Sequence, residues 1–441
     1  MQRQDPEAYK TMATKIQTLK DEVLERVAKI GQADILVGIP SFRNAATIDH
    51  VVKAASEGMV KYFPDLKPVL VNSDGGSTDN TRDIVLKTEV PKTVEKIVTP
   101  YKGIPGKGSA FATIFEIADR LHTKVCIVVD SDLRSITPEW IKLLGYPVYK
   151  YNFGLVTPYY KRYKYDGTIT NSLAYPLTRA LYGTIIRQPI GGEFGMSGSL
   201  AKILAHQKLG DTNIAKFGVD IWATTTAICE GFSACQAAMG VKLHDAKDPG
   251  ASLAPMFEQV VGALFGLMYK YDVKWKAIKG SQPVDLYGEE VEAKPTSFKI
   301  DFLKLIRNFK GGFTKYNTLI KSILQKEVYS EVEALYDSHL NKLHFDDALW
   351  AKVVYDFAVA YNFGPVPAGV VIEALVPIYF AKTASFVLST KYMSGTLAEA
   401  LVEGLAEVFE EEKDHLIKHW NRAKKLYPHQ EPKTHLVASK N

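Results

Sequence analysis

The chain predicts an α/β fold: a mostly parallel sheet flanked by helices, followed by a helical C-terminal region. Three observations carry this. Short apolar runs alternate with helix-like segments from Asp34 to Trp140. Each run ends in a polar or glycine-rich stretch. The last run, Val125-Cys126-Ile127-Val128-Val129, is unbroken and rich in β-branched residues, as suits a strand buried on both faces. Parallel strands with right-handed helical crossovers follow from that alternation.

Residues Pro6 to Ile30 carry Met12, Ile16, Leu19, Val23, Val27 and Ile30 at helical spacing, an amphipathic helix that Gly31 ends. Segment 1–33 is therefore expected to pack on a catalytic domain of residues 34–287. Asp34 to Pro40 reads as the first core strand, Ser41-Phe42-Arg43-Asn44 as a turn, and Ala45 to about Tyr62 as a helix. Pro68 to Val71 is a second strand, Lys96 to Thr99 a third, and Ser109 to Leu121 the helix before the Val125 strand. Thr137 and Pro138 read as the N-cap and first residue of the next helix. After Gly154 the pattern loosens. Asn171 to Thr184, Ala201 to Leu209 and Gly218 to Cys229 read as helices, and Val241 to His244 as a last short strand. The domain divides at about residue 140 into a nucleotide-binding half, 34–140, and an acceptor half, 141–287. Helical patterns fill 288–430, expected either beside the acceptor half or at a dimer interface, and 431–441 is a tail.

Composition narrows the class. The 441 residues are 46% hydrophobic and 23% charged with a net charge of +5, ordinary for a soluble domain protein and too mild to argue for nucleic acid. Cys126, Cys229 and Cys235 form no metal-type pair and read as buried thiols in a reducing, cytoplasmic compartment. The most apolar late stretch, Val366 to Leu388, is broken by Glu373 and Lys382 and reads as buried helices, not a membrane span.

The chemistry concentrates where strands end. Asp130-Ser131-Asp132 follows the buried strand; in extended chain its two carboxylates would point to one side and seat Mg²⁺ or Mn²⁺ carrying a phosphate. Asn72 to Asp79 makes a glycine-rich turn in which Asp74 can accept from a base or ribose. Gly106-Lys107-Gly108 opens a helix, where N–H groups and a lysine suit a diphosphate. It is not a Walker P-loop, because Tyr101 and Gly108 stand where that pattern needs glycine and Ser or Thr. Arg162, in a run of Tyr and Lys, suits a carboxylate. His244 can complete a site built by the aspartates.

Taken in one order, the proline after the first strand, SDGGSTD, GKG, DSD, QPIGGE, GVD and His244 resemble the retaining nucleotide-sugar glycosyltransferases of the glucosylglycerate synthase, mannosylglycerate synthase and glucosyl-3-phosphoglycerate synthase group. The resemblance covers about Asp34 to Pro249. It implies a GT-A fold, and Asp132 and His244 as ligands of a divalent cation. Pro40, Asn44, Asp74, Lys107, Asp130 and Ser131 would then line the nucleotide donor. Gly191, Gly192 and Glu193 would lie by the sugar, with Asp220 between sugar and acceptor. Glu193 and Asp220 are the catalytic candidates. Arg162 and Thr170, eight residues apart, match the pair that meets glycerate in the mannosylglycerate enzymes. The phosphoglycerate enzymes carry arginine where this chain has Thr168, and asparagine where it has Ala246, both phosphate contacts. The resemblance therefore implies transfer of glucose from a GDP-, ADP- or UDP-hexose to unphosphorylated D-glycerate, a compatible-solute synthesis, by a cytoplasmic homodimer without nucleic-acid or membrane partners. The alternatives are the mannosyl and phosphoglycerate activities and, more distantly, an inverting transferase for a saccharide or lipid acceptor with Asp220 as general base.

Overall fold

The computed structural model describes residues 19–207, 209, 213–243, 253–292, 294–339 and 342–427. The elements begin with α1 (Asp21–Ile30), β1 (Ile35–Ser41), α2 (Ile48–Tyr62), β2 (Pro68–Asp74), α3 (Thr81–Lys87), β3 (Glu95–Pro100), α4 (Lys107–Arg120), β4 (Val125–Val128) and α5 (Pro138–Tyr151). They continue with β5 (Leu155–Lys161), α6 (Tyr175–Tyr182), β6 (Thr184–Ile185), β7 (Phe194–Ser197), α7 (Gly198–His206), α8 (Val219–Cys229), β8 (Ala234–Val241), β9 (Gln282–Pro283) and β10 (Leu286–Tyr287). Eight strands form one sheet in the order β10-β8-β5-β7-β4-β1-β2-β3. Neighbours are parallel except where β7 runs antiparallel to β4 and β5.

That reversal positions the site. A parallel strand delivers its last residue to the sheet's carboxyl edge, and an antiparallel one delivers its first. Phe194 of β7 pairs with Val128 of β4. Glu193, just before β7, and Asp130, just after β4, thus reach one edge. Val241 of β8 pairs with Lys161 of β5, which brings Lys242 to that edge too.

Side chains of the central strands alternate between two cores. Leu36, Cys126 and Val128 join the core formed with α4 and α6 to α8. Ile35, Val37 and Ile127 join the core under α2 and α5. Pro40 sits inside β1 without breaking it. Gly38 faces β4, whose ladder ends at Gly38↔Val128, so the N–H that Pro40 lacks would point past its end. All three cysteines are buried free thiols, and burial pushes them up to about 12.

The first core runs on into the C-terminal helices, Phe302–Ile323, Lys326–Asp337, Asp347–Phe363, Ala368–Thr390, Gly395–Glu411 and Lys413–Leu426. Helix Ala368–Thr390 is long and apolar enough to cross a membrane by length and composition; 78% of its most apolar window is buried within the fold. Gly312 lets helix Phe302–Ile323 press against it, since a Cβ there would lie 2.6 Å from Pro377.

Several elements differ from the sequence reading. The strand read at 241–244 is β8, Ala234–Val241, missed because its Ala, Gln and Gly residues carry little β signal, and the short β10 follows it in the sheet. The Tyr/Lys run begins inside β5, hidden by Pro158 and by an alternation that looked like surface. The segment from Asn171 opens as a π-turn, Thr170–Ala174, before α6. Thr137 stands at the N-cap of α5 but its side chain makes no capping bond. Met12, Ile16 and His244 lie outside the described residues, as do 431–441.

Candidate active site

A row of alternating charges lies along the carboxyl edge. Lys107, first residue of α4, reaches Asp130 Oδ1 at 2.8 Å and Asp220 Oδ2 at 3.1 Å. Lys242 reaches Asp130 Oδ2 at 3.1 Å, both Glu193 oxygens at 2.9 Å and the Gly191 carbonyl at 3.0 Å. The Tyr160 hydroxyl donates to Glu193 Oε2 at 2.7 Å and closes the row. Two lysines thus face three carboxylates in a site that excludes most water, where such charges act strongly.

The fold sets each ionisation. Burial works against the charges on Lys107 and Lys242, but neighbouring carboxylates outweigh it and hold both lysines protonated, above the usual lysine range. Burial likewise opposes the Asp130 charge, and the two lysines overcome it, holding this acid well below its ordinary value. Glu193 is different. Burial dominates over Lys242 and pushes it up to about 7. Burial also raises Asp220 against the pull of Lys107. Its Oδ1 is buried without a hydrogen-bond partner among the described residues, an acceptor that the protein leaves unused.

Glycines make this packing possible at two points. Gly192 has φ +98, and a Cβ there would lie 2.4 Å from Asp130 Oδ2. A Cβ on Gly108 would lie 1.9 Å from the Ile214 carbonyl. The Gly108 and Ser109 N–H groups donate to the Lys216 and Ala215 carbonyls at 3.1 Å. The helix start therefore is not an open anion cradle, as the sequence suggested; its lysine is what reaches the edge.

Other expected residues take different places. Asp130-Ser131-Asp132 lies beyond β4 in loop and turn, so the same-side argument for extended chain does not hold. Asp130 turns to the lysines. Ser131 is buried, donating to Asn44 Oδ1 at 2.8 Å while its carbonyl accepts from Thr47 Oγ1 at 2.8 Å. Asn44 thus ties the loop after β1 to the loop after β4. Asp74 is buried and accepts four bonds, from Ser41 Oγ, Gly76 N, Ser77 N and Ser77 Oγ. Those fill the acceptor sites of a carboxylate, so Asp74 builds its turn and is not open to a base or ribose here.

Arg162 and Thr170 do come together. The Arg162 guanidinium and the Thr170 hydroxyl lie 3.6 and 3.7 Å from where a Cβ on Gly167 would stand. Arg162 also donates to Gln188 Oε1 at 3.3 Å and faces Asp166 at 3.4 Å. Both line a cavity of about 650 Å³. Tyr160 is the shared wall between that cavity and the charged row. The opposite wall is helix Gly395–Glu411, whose Glu399 grips Arg187 in a two-pronged ion pair. Arg179 pairs with Glu403 and Glu410 of the same helix. Thr168 is not in the cavity; it is buried with its hydroxyl 2.6 Å from that of Tyr379.

Among the described residues no group of three or more His, Cys, Asp or Glu is arranged to hold a metal. The donor set does not fit an all-protein cage. Lys242 and Tyr160 were missed in the sequence. With the strand placed at 234–241, Lys242 would have stood first past its end, as Asp130 nearly does after β4.

The fold is that of an α/β protein with a charged cluster where parallel strands end, the edge at which such sheets bind ligands. A scan against protein-family models finds no match, and no curated protein matches in sequence. Among solved structures the chain is similar to glucosyl-3-phosphoglycerate synthase from Mycobacterium tuberculosis in complex with Mn²⁺, UDP and phosphoglyceric acid: 23% identity, TM-score 0.42, 54% of this chain and 81% of that one. The complex of that enzyme with Mg²⁺ and UDP gives 22% identity, TM-score 0.41, and 54% and 82% coverage. Its complex with Mn²⁺, UDP-glucose and glycerol 3-phosphate gives 23%, 0.40, and 56% and 83%. Likeness at this level leaves residue roles to this chain's own geometry.

Proposed function

We propose that the chain is a glycosyltransferase moving glucose from a nucleoside diphosphate to a hydroxyl of a glycerate-type acceptor. The observation that carries this reading is the charged row from Asp220 to Glu193, which ends through Tyr160 against a cavity holding Arg162 and Thr170. Lys107 and Lys242 would offset the charge growing on the departing diphosphate, the electrostatic help that usually dominates such reactions. Asp132 would hold a divalent cation, with His244 assigned by resemblance; when bound, the cation supplies further positive charge to the diphosphate. Arg162 would grip the acceptor carboxylate, with Thr170 fixing its orientation so that the hydroxyl faces the anomeric carbon. Glu193 and Asp220 would lie beside the transferred sugar.

Unphosphorylated acceptor is favoured because Thr168 is buried and spent on Tyr379, which leaves no charge-assisted phosphate contact at that position. The three buried thiols support a cytoplasmic location. The similar structures are named with phosphorylated acceptors, phosphoglyceric acid and glycerol 3-phosphate, and are too distant to decide between a phosphorylated and an unphosphorylated acceptor. A second reading has an observation of its own. Asp220, with its raised pKa and unpartnered Oδ1, suits a general base, which would make the enzyme inverting. The test of the site is Asp132→Ala. It is expected to abolish Mg²⁺-dependent turnover while the circular dichroism spectrum stays unchanged; full activity would remove Asp132 from the site.

A further inference from the structure

The cavity beside the charged row is larger than a three-carbon acid needs. At about 650 Å³ it falls among pockets that enclose drug-sized ligands. Arg162 and Thr170 form one part of its wall. Another part differs in kind: Tyr159, Tyr163 and Phe386 present rings, and Glu399 and Thr396 present oxygens from the C-terminal helices. Rings offer an apolar face to the C–H side of a sugar, and carboxylates accept from its hydroxyls. Tyr163 is held for this by edge contacts with Tyr165 and Phe298, at 5.2 and 5.3 Å between ring centres.

The charges of the wall point the same way. Lys161 faces Glu290 at 3.7 Å. Lys164 donates to the Thr390 and Met393 carbonyls at 2.7 and 2.8 Å. Arg187 is clamped on Glu399. The covering segment adds Glu290 and Glu292 against Lys294. Arg162 itself faces Asp166 at 3.4 Å, so an incoming carboxylate would share its guanidinium with that acid. Lys161, Lys164 and Arg187 are engaged by protein oxygens, and the rest of the wall presents rings, hydroxyls and carboxylates that suit a polyhydroxyl group.

We propose that the acceptor is a hydroxy acid that already carries a sugar, with its carboxylate at Arg162 and Thr170 and its sugar ring against Tyr163. This rests on the glycosyltransferase reading above, and D-glycerate is then the smallest fragment the site accepts. In a 2-O-glycoside of glycerate the C2 oxygen is already bonded, so the oxygen of a remaining free hydroxyl, at C3 of the acid or on its sugar, bonds to the anomeric carbon of the donor as the bond from that carbon to the diphosphate breaks. The electron pair leaves with the diphosphate, which takes up the hydroxyl proton.

The experiment compares initial rates of the full chain with Mg²⁺ on 2-O-glucosyl-D-glycerate and on D-glycerate, using UDP-, GDP- and ADP-glucose in turn. The glycoside is expected to show kcat/KM about tenfold higher, the equivalent of one modest extra contact surface. Tyr163→Ala is expected to bring that ratio towards one, and Tyr163→Phe, which keeps the ring, to preserve it. A ratio that persists in Tyr163→Ala overturns the placement of the sugar. Equal or better use of D-glycerate overturns the inference and leaves glycosyl transfer to glycerate standing. Transfer to neither acceptor, with donor binding seen by calorimetry, overturns both.

Discussion

Glu193 lies between Lys242 and Tyr160 with no solvent exposure, and its pKa is pushed up from an ordinary 4.5 to about 7 by burial. The sign of the consequence follows from proton counting. Between those values the folded protein holds a proton on Glu193 that the unfolded chain has lost, so stability falls as pH rises through that window. The full shift corresponds to something on the order of 3 kcal/mol. Glu193→Gln, which cannot ionise, is expected to make the slope of unfolding free energy between about pH 5 and 7 less negative than in the parent chain, read by urea denaturation. An unchanged slope would mean that Glu193 is ionised throughout. The same residue shows why site chemistry was only partly legible. Glu193 and Asp130 were recognisable from their motifs, but their meeting depends on β7 running backwards, which no local pattern in Phe194–Ser197 reveals. Asp74 was recognised as a motif residue, but not its structural part, because its four bonds come from the end of β1 and from the turn after β2.

At the scale of elements, helix Gly395–Glu411 is held to the sheet half by ion pairs, from Arg187 to Glu399 and from Arg179 to Glu403 and Glu410. Arg187 is buried, whereas Glu399 is partly wet, so removing the arginine leaves a carboxylate that water can reach. The main loss is therefore in positioning the cavity wall. Arg187→Met forfeits charge-assisted hydrogen bonds worth about 1.5–3 kcal/mol, so acceptor kcat/KM is expected to fall about ten- to a hundredfold. Donor affinity, measured by calorimetry, is expected to be unchanged. Equal losses for donor and acceptor would show that the helix supports the whole site and not one wall. The elements legible in the sequence were those where burial and propensity agree. β1, β4 and the first half of β2, Pro68 to Val71, are largely apolar, partly β-branched runs buried at every position. β8 was not legible because Ala and Gly stand where packing against β5, not propensity, makes the strand. The C-terminal helices were legible as helices, but their place was not: helical periodicity says that a face is buried and not against what.

Across the whole molecule, the sheet and the C-terminal helices share one apolar core. The Phe257 and Tyr379 rings lie 4.4 Å apart, and Trp350 Nε1 donates to the Ser172 carbonyl at 2.6 Å. The C-terminal region is thus part of the cavity's frame. On the proposed reading the charged row takes the diphosphate and the hexose and the cavity takes the acceptor, with Tyr160 between them. The measurement that tests this most directly is a turnover matrix in Mg²⁺. UDP-, GDP- and ADP-glucose and GDP-mannose are each offered with D-glycerate and 3-phospho-D-glycerate, and the product anomer is read by NMR. The account predicts glucose transfer to the unphosphorylated acid with an α-linked product. Preference for the phosphorylated acid, or no transfer from any donor, would contradict it.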